Sequence, residues 1–158
     1  MLDSYNREIN YLRVSVTDRC NLRCTYCMPA EGISLLQHKD ILSFEEILQV
    51  IEAAVSKGIN KVRITGGEPL VRKGIILLIE QISKIQGIED LSMTTNGILL
   101  EEFAGPLAQA GIQRVNISLD TVDSFRYAEI TRGGGINKVI TGIFAAQKAG
   151  LSPIKINC

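Results

Sequence analysis

Neither sign of charge is in excess: Lys plus Arg number 17 and Asp plus Glu also 17 over 158 residues. A chain built to lie along a nucleic acid or an anionic membrane carries a basic surplus, so no nucleic acid and no membrane are expected as partners. Long apolar runs are missing too. The longest uninterrupted aliphatic stretch, Ile75 to Ile79, falls far short of the ~20 residues a membrane helix needs. The opening Met-Leu-Asp-Ser-Tyr-Asn-Arg-Glu lacks the basic-then-apolar order of a secretory signal. These absences predict a cytoplasmic protein, where 4 cysteines are not read as two disulfides. What the chain does have is apolar weight. With 46% hydrophobic and 22% charged residues, disorder is excluded. The length suits about one domain, here residues 1–158, able to remove ~70% of its unfolded surface from water.

One pattern organises most of the chain. It occurs as Gly58-Ile-Asn-Lys-Val-Arg-Ile-Thr65, Gly87-Ile-Glu-Asp-Leu-Ser-Met-Thr94, Gly111-Ile-Gln-Arg-Val-Asn-Ile-Ser118 and Gly150-Leu-Ser-Pro-Ile-Lys-Ile-Asn157. Leu12-Arg-Val-Ser15 is a copy without the glycine. Each copy ends in apolar–polar alternation, the period of a strand, and the intervals suit βα units but are too irregular for a solenoid. The segments before the glycines read as helices. Ser43 and Glu46 form a capping box ahead of Ile47, Leu48, Ile51 and Val55 on one face. Gly58 then sits where a helix end favours a left-handed residue. Lys73 to Gln86 and Lys138 to Ala149 follow suit, whereas Gly105-Pro106 should interrupt a weaker helix over Leu100 to Ala110. Parallel strands with right-handed crossovers are predicted.

Strands sandwiched between helices are apolar on both faces; these are not. Aligning the copies gives one polar row of Arg13, Arg63, Ser92, Asn116 and Lys155, and a second of Ser15, Thr65, Thr94, Ser118 and Asn157. The intervening Leu, Val, Ile and Met can face the helices. The polar rows then line the cavity of a curved, barrel-like sheet or, alternatively, form the wet surface of an open one. Two Arg and one Lys in register suggest an anionic ligand. A complete (βα)8 barrel needs ~250 residues, and the fifth strand here runs up to Cys158. The expectation is the first part of a longer barrel, since a strand edge left open is an aggregation hazard.

Cys20-Asn-Leu-Arg-Cys24-Thr-Tyr-Cys27 follows the first strand directly. Thiolates bind soft metals, and three on one loop can hold three corners of an iron–sulfur cube, leaving one iron free for a small molecule. Two alternatives stand beside this. A zinc-stabilised binding module would recruit the one histidine, His38, as fourth ligand. A redox pair Cys24-Thr-Tyr-Cys27 would make Cys20 superfluous. Cys158 reads as an ordinary buried cysteine of the fifth strand.

The Cys-x3-Cys-x2-Cys loop resembles that of the radical S-adenosylmethionine (SAM) enzymes. The wider segments Leu12-Arg-Val-Ser-Val-Thr-Asp-Arg-Cys-Asn-Leu-Arg-Cys-Thr-Tyr-Cys-Met-Pro29, Arg63-Ile-Thr-Gly-Gly-Glu-Pro-Leu70, Thr94-Thr-Asn-Gly97 and Asn116-Ile-Ser-Leu-Asp120 resemble the GTP 3′,8-cyclases of molybdenum-cofactor biosynthesis. The fold this implies is α/β, the N-terminal portion of a radical SAM partial TIM-type (βα) barrel, with about five parallel strands and outer helices. The implied activity is a lyase reaction: a 4Fe–4S cluster cleaves SAM, and the 5′-deoxyadenosyl radical acts on GTP in the first step of molybdopterin formation. The resemblance implies cluster ligation by Cys20, Cys24 and Cys27, and SAM contacts at Tyr26, Gly67 and Ser118. It implies GTP contacts at Arg13, Arg63, Thr94 and Lys155. It further implies an external electron donor and a homodimer in the intact enzyme, and it assigns no catalytic side chain.

Read without the resemblance, Tyr26 and Ser118 serve equally as packing and barrel-lining residues, and Gly66-Gly67 as a tight turn. Arg114 or Arg132 would then be equal choices for an anion, although Arg132-Gly-Gly-Gly135 is a flexible turn and no phosphate loop. A radical enzyme acting on a peptide or RNA is the alternative within the superfamily, disfavoured by the inward cations. The chain also departs from the cyclases. Their second iron–sulfur cluster, later strands and glycine-rich tail lie beyond the matched region, and Cys158 stands in no corresponding motif.

Overall fold

A computed structural model describes residues 2–158, apart from the side chain of His38. The elements run β1 (Tyr11–Ser15), α1 (Phe44–Val55), β2 (Lys61–Thr65), α2 (Ile75–Ser83), β3 (Asp90–Thr95), α3 (Leu100–Ala110), β4 (Arg114–Ser118), α4 (Ser124–Thr131), α5 (Ile136–Lys148) and β5 (Ile154–Asn157). Short 3-10 turns occupy His38–Asp40 and Pro69–Val71. The five strands form one parallel sheet in the order β1-β2-β3-β4-β5. This is the expected βα alternation.

Local chemistry sets the helix ends. Ser43 Oγ accepts from Glu46 N at 3.2 Å and Glu46 returns a carboxylate to Ser43 N at 2.7 Å, the reciprocal cap expected of α1. The helix at Gly105-Pro106 is continuous, contrary to expectation. Pro106 is exposed, so the carbonyl it leaves without an intrahelical donor can face water. The eight residues of α4 were not anticipated. Asp123 caps that helix by accepting from Arg126 N at 2.8 Å, but its face is too polar for helical periodicity to stand out.

The core lies between the apolar sheet face and the helices. Val62, Ile64, Leu91, Met93, Val115 and Ile117 pack with Ile47, Ile51, Leu78, Ile79, Ile82, Leu107 and Val139. The fit is closest where α5 crosses the start of α3. A Cβ on Gly142 would lie 2.7 Å from Gly97 O and 3.0 Å from Leu100 Cβ, so only hydrogen fits there.

The opposite, polar face differs from the sequence alignment in one respect. Arg13 pairs with Arg63, Arg63 with Ser92, and Ser92 with Arg114 rather than Asn116. Asn116 pairs instead with Thr94 on one side and Lys155 on the other. The ladder therefore slips by two residues between β3 and β4. An even slip keeps every side chain on its face, and such stagger is what a tilted, curving sheet requires.

Candidate functional site

The cysteine loop crosses the C-terminal ends of the strands and is fastened from two sides. On the β2 side, Val16 N donates to Thr65 O at 2.8 Å, Gly67 N to Thr17 O at 2.7 Å and Glu68 N to Arg19 O at 2.8 Å. This contact explains the paired glycines. A Cβ on Gly66 would stand 2.7 Å from Thr17 O, and one on Gly67 only 2.3 Å from Arg19 O. The missing side chains make room for the backbone leading into Cys20.

Glu68 extends the fastening. It is 0% exposed and accepts from Leu70 N at 3.1 Å, Thr95 Oγ1 at 2.9 Å and Asn96 N at 2.7 Å. Burial pushes its carboxyl above the usual range, while these three donors pull it back. Asn96 in turn donates to Asn21 Oδ1 at 2.8 Å and reaches Cys20 Sγ at 3.7 Å. The ends of β2 and β3 are thus tied to the loop by side chains.

On the other side the loop pairs with the end of α4, through Arg23 N to Thr131 O at 3.3 Å and Thr25 N to Ile130 O at 2.8 Å. Arg132 donates to Arg23 O at 2.9 Å and to Met28 O at 2.8 Å, clamping both flanks of Cys24 and Cys27. Arg132 is therefore engaged with the loop. Arg114, the other cation considered, is a β4 residue joined by two hydrogen bonds to Asp90.

The thiols share one electrostatic environment. Burial raises the Cys20 and Cys24 pKa values first, and neighbouring thiolates add to both shifts. Leu22 N donates to Cys20 Sγ at 3.4 Å, and Cys27 N to Cys24 O at 2.9 Å in a tight turn. Among the described residues, no three His, Cys, Asp or Glu side chains converge on a point where a single metal ion would sit. The His38 side chain invoked for zinc lies outside the described residues. Cys158 is exposed just past β5, not buried within it.

The remaining candidates occupy the polar face or its rim. Tyr26 is 67% exposed and donates to Asp120 Oδ2 at 2.9 Å; burial, then that bond, raises its pKa. Ser118 ends β4 opposite Asn157. Arg63 lies 5.2 Å from the Tyr11 ring centroid and 3.4 Å from Ser92 Oγ, with Arg13 beside it in the ladder. Lys155 is exposed on β5. Thr94 Oγ1 and Asn116 Oδ1 are buried without partners. Buried polar atoms are normally paired, so this face has unfilled hydrogen-bonding capacity.

The sequence profile of the radical SAM superfamily matches residues 14–158. The chain belongs to that superfamily. Curated relatives named GTP 3′,8-cyclase match nearly the whole chain. The protein of Peptoclostridium acidaminophilum is 57% identical over 157 residues, 99% of this chain and 48% of the relative. That of Geobacter sulfurreducens is 56% identical over 157 residues, again 99% and 48%. The chain spans about half the length of these relatives. Among solved structures, SuiB of Streptococcus suis bound to S-adenosylmethionine superposes with a TM-score of 0.75 at 22% identity, over 94% of this chain and 33% of SuiB. Methylornithine synthase gives 0.74 at 14% identity, over 92% and 43%. Together with the superfamily match, these likenesses agree with the fold of a partial TIM-type barrel.

Radical SAM membership brings the two expected cofactors, a 4Fe–4S cluster and SAM. The residues present fit the cluster. Three thiols stand on one loop whose backbone is held on both flanks, and Cys20 Sγ receives N–H groups of the kind that support ligating sulfur. Glu68, Asn96 and Arg132 had no sequence signal for their roles. The sequence marks Glu68 only by its place in a glycine turn.

Proposed function

We propose that this chain carries the SAM-cleaving centre of a cytoplasmic GTP 3′,8-cyclase, a lyase of molybdenum-cofactor biosynthesis. What carries the reading is the juxtaposition of the doubly fastened Cys20–Cys27 loop with a polar sheet face bearing Arg13, Arg63 and Lys155. The relatives' name and the motif resemblance favour GTP as the anion. When bound, the cluster and SAM supply one-electron reductive cleavage to a 5′-deoxyadenosyl radical. Cys20, Cys24 and Cys27 would hold the cluster, and Glu68, Asn96 and Arg132 keep their loop in place. Tyr26, the Gly67 main chain and Ser118 lie on the rim, where they contact SAM. Arg13, Arg63 and Lys155 bind the negative groups of GTP, the two arginines by forked donors, and the Thr94 hydroxyl joins them. Electrons come from an external donor; the intact enzyme is a homodimer and engages neither nucleic acid nor membrane. No helix among the described residues is long and apolar enough to cross a membrane.

The test is an anaerobic assay with dithionite, SAM and GTP, using a protein extended to the length of the relatives. Cyclised nucleotide should form in step with 5′-deoxyadenosine. Uncoupled 5′-deoxyadenosine, with no GTP consumed at any concentration, would leave radical SAM chemistry but remove GTP as the substrate.

A further inference from the structure

Three cations that the function above does not use gather at one cavity. Where the chain leaves β1 it meets the connection from β2 to α2, and between them lies a cavity of about 170 Å³. Arg19, Arg72 and Lys73 line it beside the apolar Val16, Ile41 and Val71, and no acid does. Arg72 is fixed in place by donating to Val16 O and Leu42 O, and its guanidinium lies 4.4 Å from the Phe44 ring centroid. Two neutral carbonyls and an aromatic face leave its charge uncancelled. Burial lowers its pKa, as expected of a partly desolvated cation without a counter-ion. Among the described residues, none of the three cations forms an ion pair. Asp18, Glu31 and Asp40 line two adjoining cavities instead. A cleft of one sign of charge with apolar walls concentrates counter-ions.

The size of the cavity selects among anions. Its volume is well below the ~300 Å³ at which sites for larger ligands begin, so it has room for one phosphate group but not for a nucleoside. Arg19 brings a forked donor that matches phosphate oxygens, and Lys73 a point charge.

We propose that this cavity binds a single phosphate group, which bridges Arg19 at the entry to the cysteine loop and Lys73 ahead of α2. The site shares no residue with the polar sheet face and does not rest on the GTP reading. Thr17 O and Arg19 O already accept from Gly67 N and Glu68 N, so the anion adds a second tie, through side chains, between the same two segments.

The experiment is a calorimetric titration of the protein with inorganic phosphate at fixed ionic strength, since exposed charges are screened by salt. One saturable step is expected. Lys73→Gln and Arg19→Gln should each weaken it about tenfold or more, the order for loss of a hydrogen bond to a charged group, whereas Lys73→Arg should retain it. Both residues are exposed, so these variants are chosen over Arg72, whose loss would also free Val16 O and Leu42 O; unchanged circular dichroism checks that they fold. No saturable step in wild type overturns the proposal, as does wild-type affinity in both glutamine variants. Loss in only one of them removes the bridge and overturns it too. Lys155→Gln should leave the step intact; if that change alone abolishes it, phosphate sits on the sheet face and the proposal fails. A parallel titration with phenyl phosphate separates the sources: equal affinity supports the phosphate of a larger ester, and binding of inorganic phosphate alone supports the free anion.

Discussion

Glu68→Gln is the sharpest test of how the site is held together. The carboxylate is an acceptor on both oxygens, taking Leu70 N and Thr95 Oγ1 on one and Asn96 N on the other. A glutamine of the same shape must turn its NH2 toward one set of donors. Flipped one way it faces Asn96 N; flipped the other it faces Leu70 N, with only the Thr95 hydroxyl free to rotate away. At least one buried N–H is left without an acceptor, at about 1–3 kcal/mol, a factor of roughly 5 to 150 in the folding equilibrium. Urea denaturation followed by circular dichroism reads this directly. Its pH dependence reads the charge. Because burial raises the folded-state pKa of Glu68 above its ordinary 4.5, the folded chain binds the extra proton. The stabilisation from that proton is fully present below pH 4.5 and is lost as pH rises through the folded-state pKa. Glu68→Gln removes that slope while lowering stability at neutral pH. A variant as stable as wild type at pH 7, with the slope intact, would refute the network as drawn.

Gly67→Val should displace the loop at Arg19, so iron incorporation and SAM binding fall together; normal iron with SAM binding alone lost would show that the side chain meets only ligand. Alanine at Cys20, Cys24 or Cys27 should abolish or degrade the reconstituted cluster, measured as loss of about four irons for a cubane, whereas Cys158→Ala should retain it. Arg132→Ala removes two hydrogen bonds to the loop, worth about 0.5–1.5 kcal/mol each, and should hasten cluster loss in air measured by decay of visible absorbance. The 158-residue chain supplied with dithionite, SAM and GTP should release 5′-deoxyadenosine without cyclised nucleotide, because misplacement of substrate by ~1 Å can cost ~100-fold; cyclised product at the rate of a full-length relative would contradict this.

Period-two alternation and the Ser43–Glu46 cap made the strands and α1 legible, because each residue reports on its own surroundings. The two-residue slip between β3 and β4 left no trace, since an even shift preserves which residues are polar and inward. The glycine pair was ambiguous for a related reason. Glycine marks close approach without saying whether a ligand or, as at Arg19 O, another stretch of backbone does the approaching. Arg132 looked like a free cation on a flexible turn, and only the fold brings Arg23 O and Met28 O within its reach. Glu68 carries no periodic signal, because its partners Thr95 and Asn96 come from a segment far away in the chain. Cys158 was misplaced as buried because β5 pairs on one side only in this chain, so its apolar neighbour Ile156 is itself 45% exposed.

The slip between β3 and β4 also gives the charged face a gradient. Arg13 and Arg63 share one level of the ladder, while Lys155 belongs to the level of Thr94 and Asn116, two residues nearer the strand ends. At ~3.3 Å per residue that is a climb of about 7 Å, spread across four strand spacings of ~4.8 Å each. A ligand spanning the whole face must be elongated and must lie diagonally, with one end deep beside the arginines and the other raised toward the rim that carries the cysteine loop.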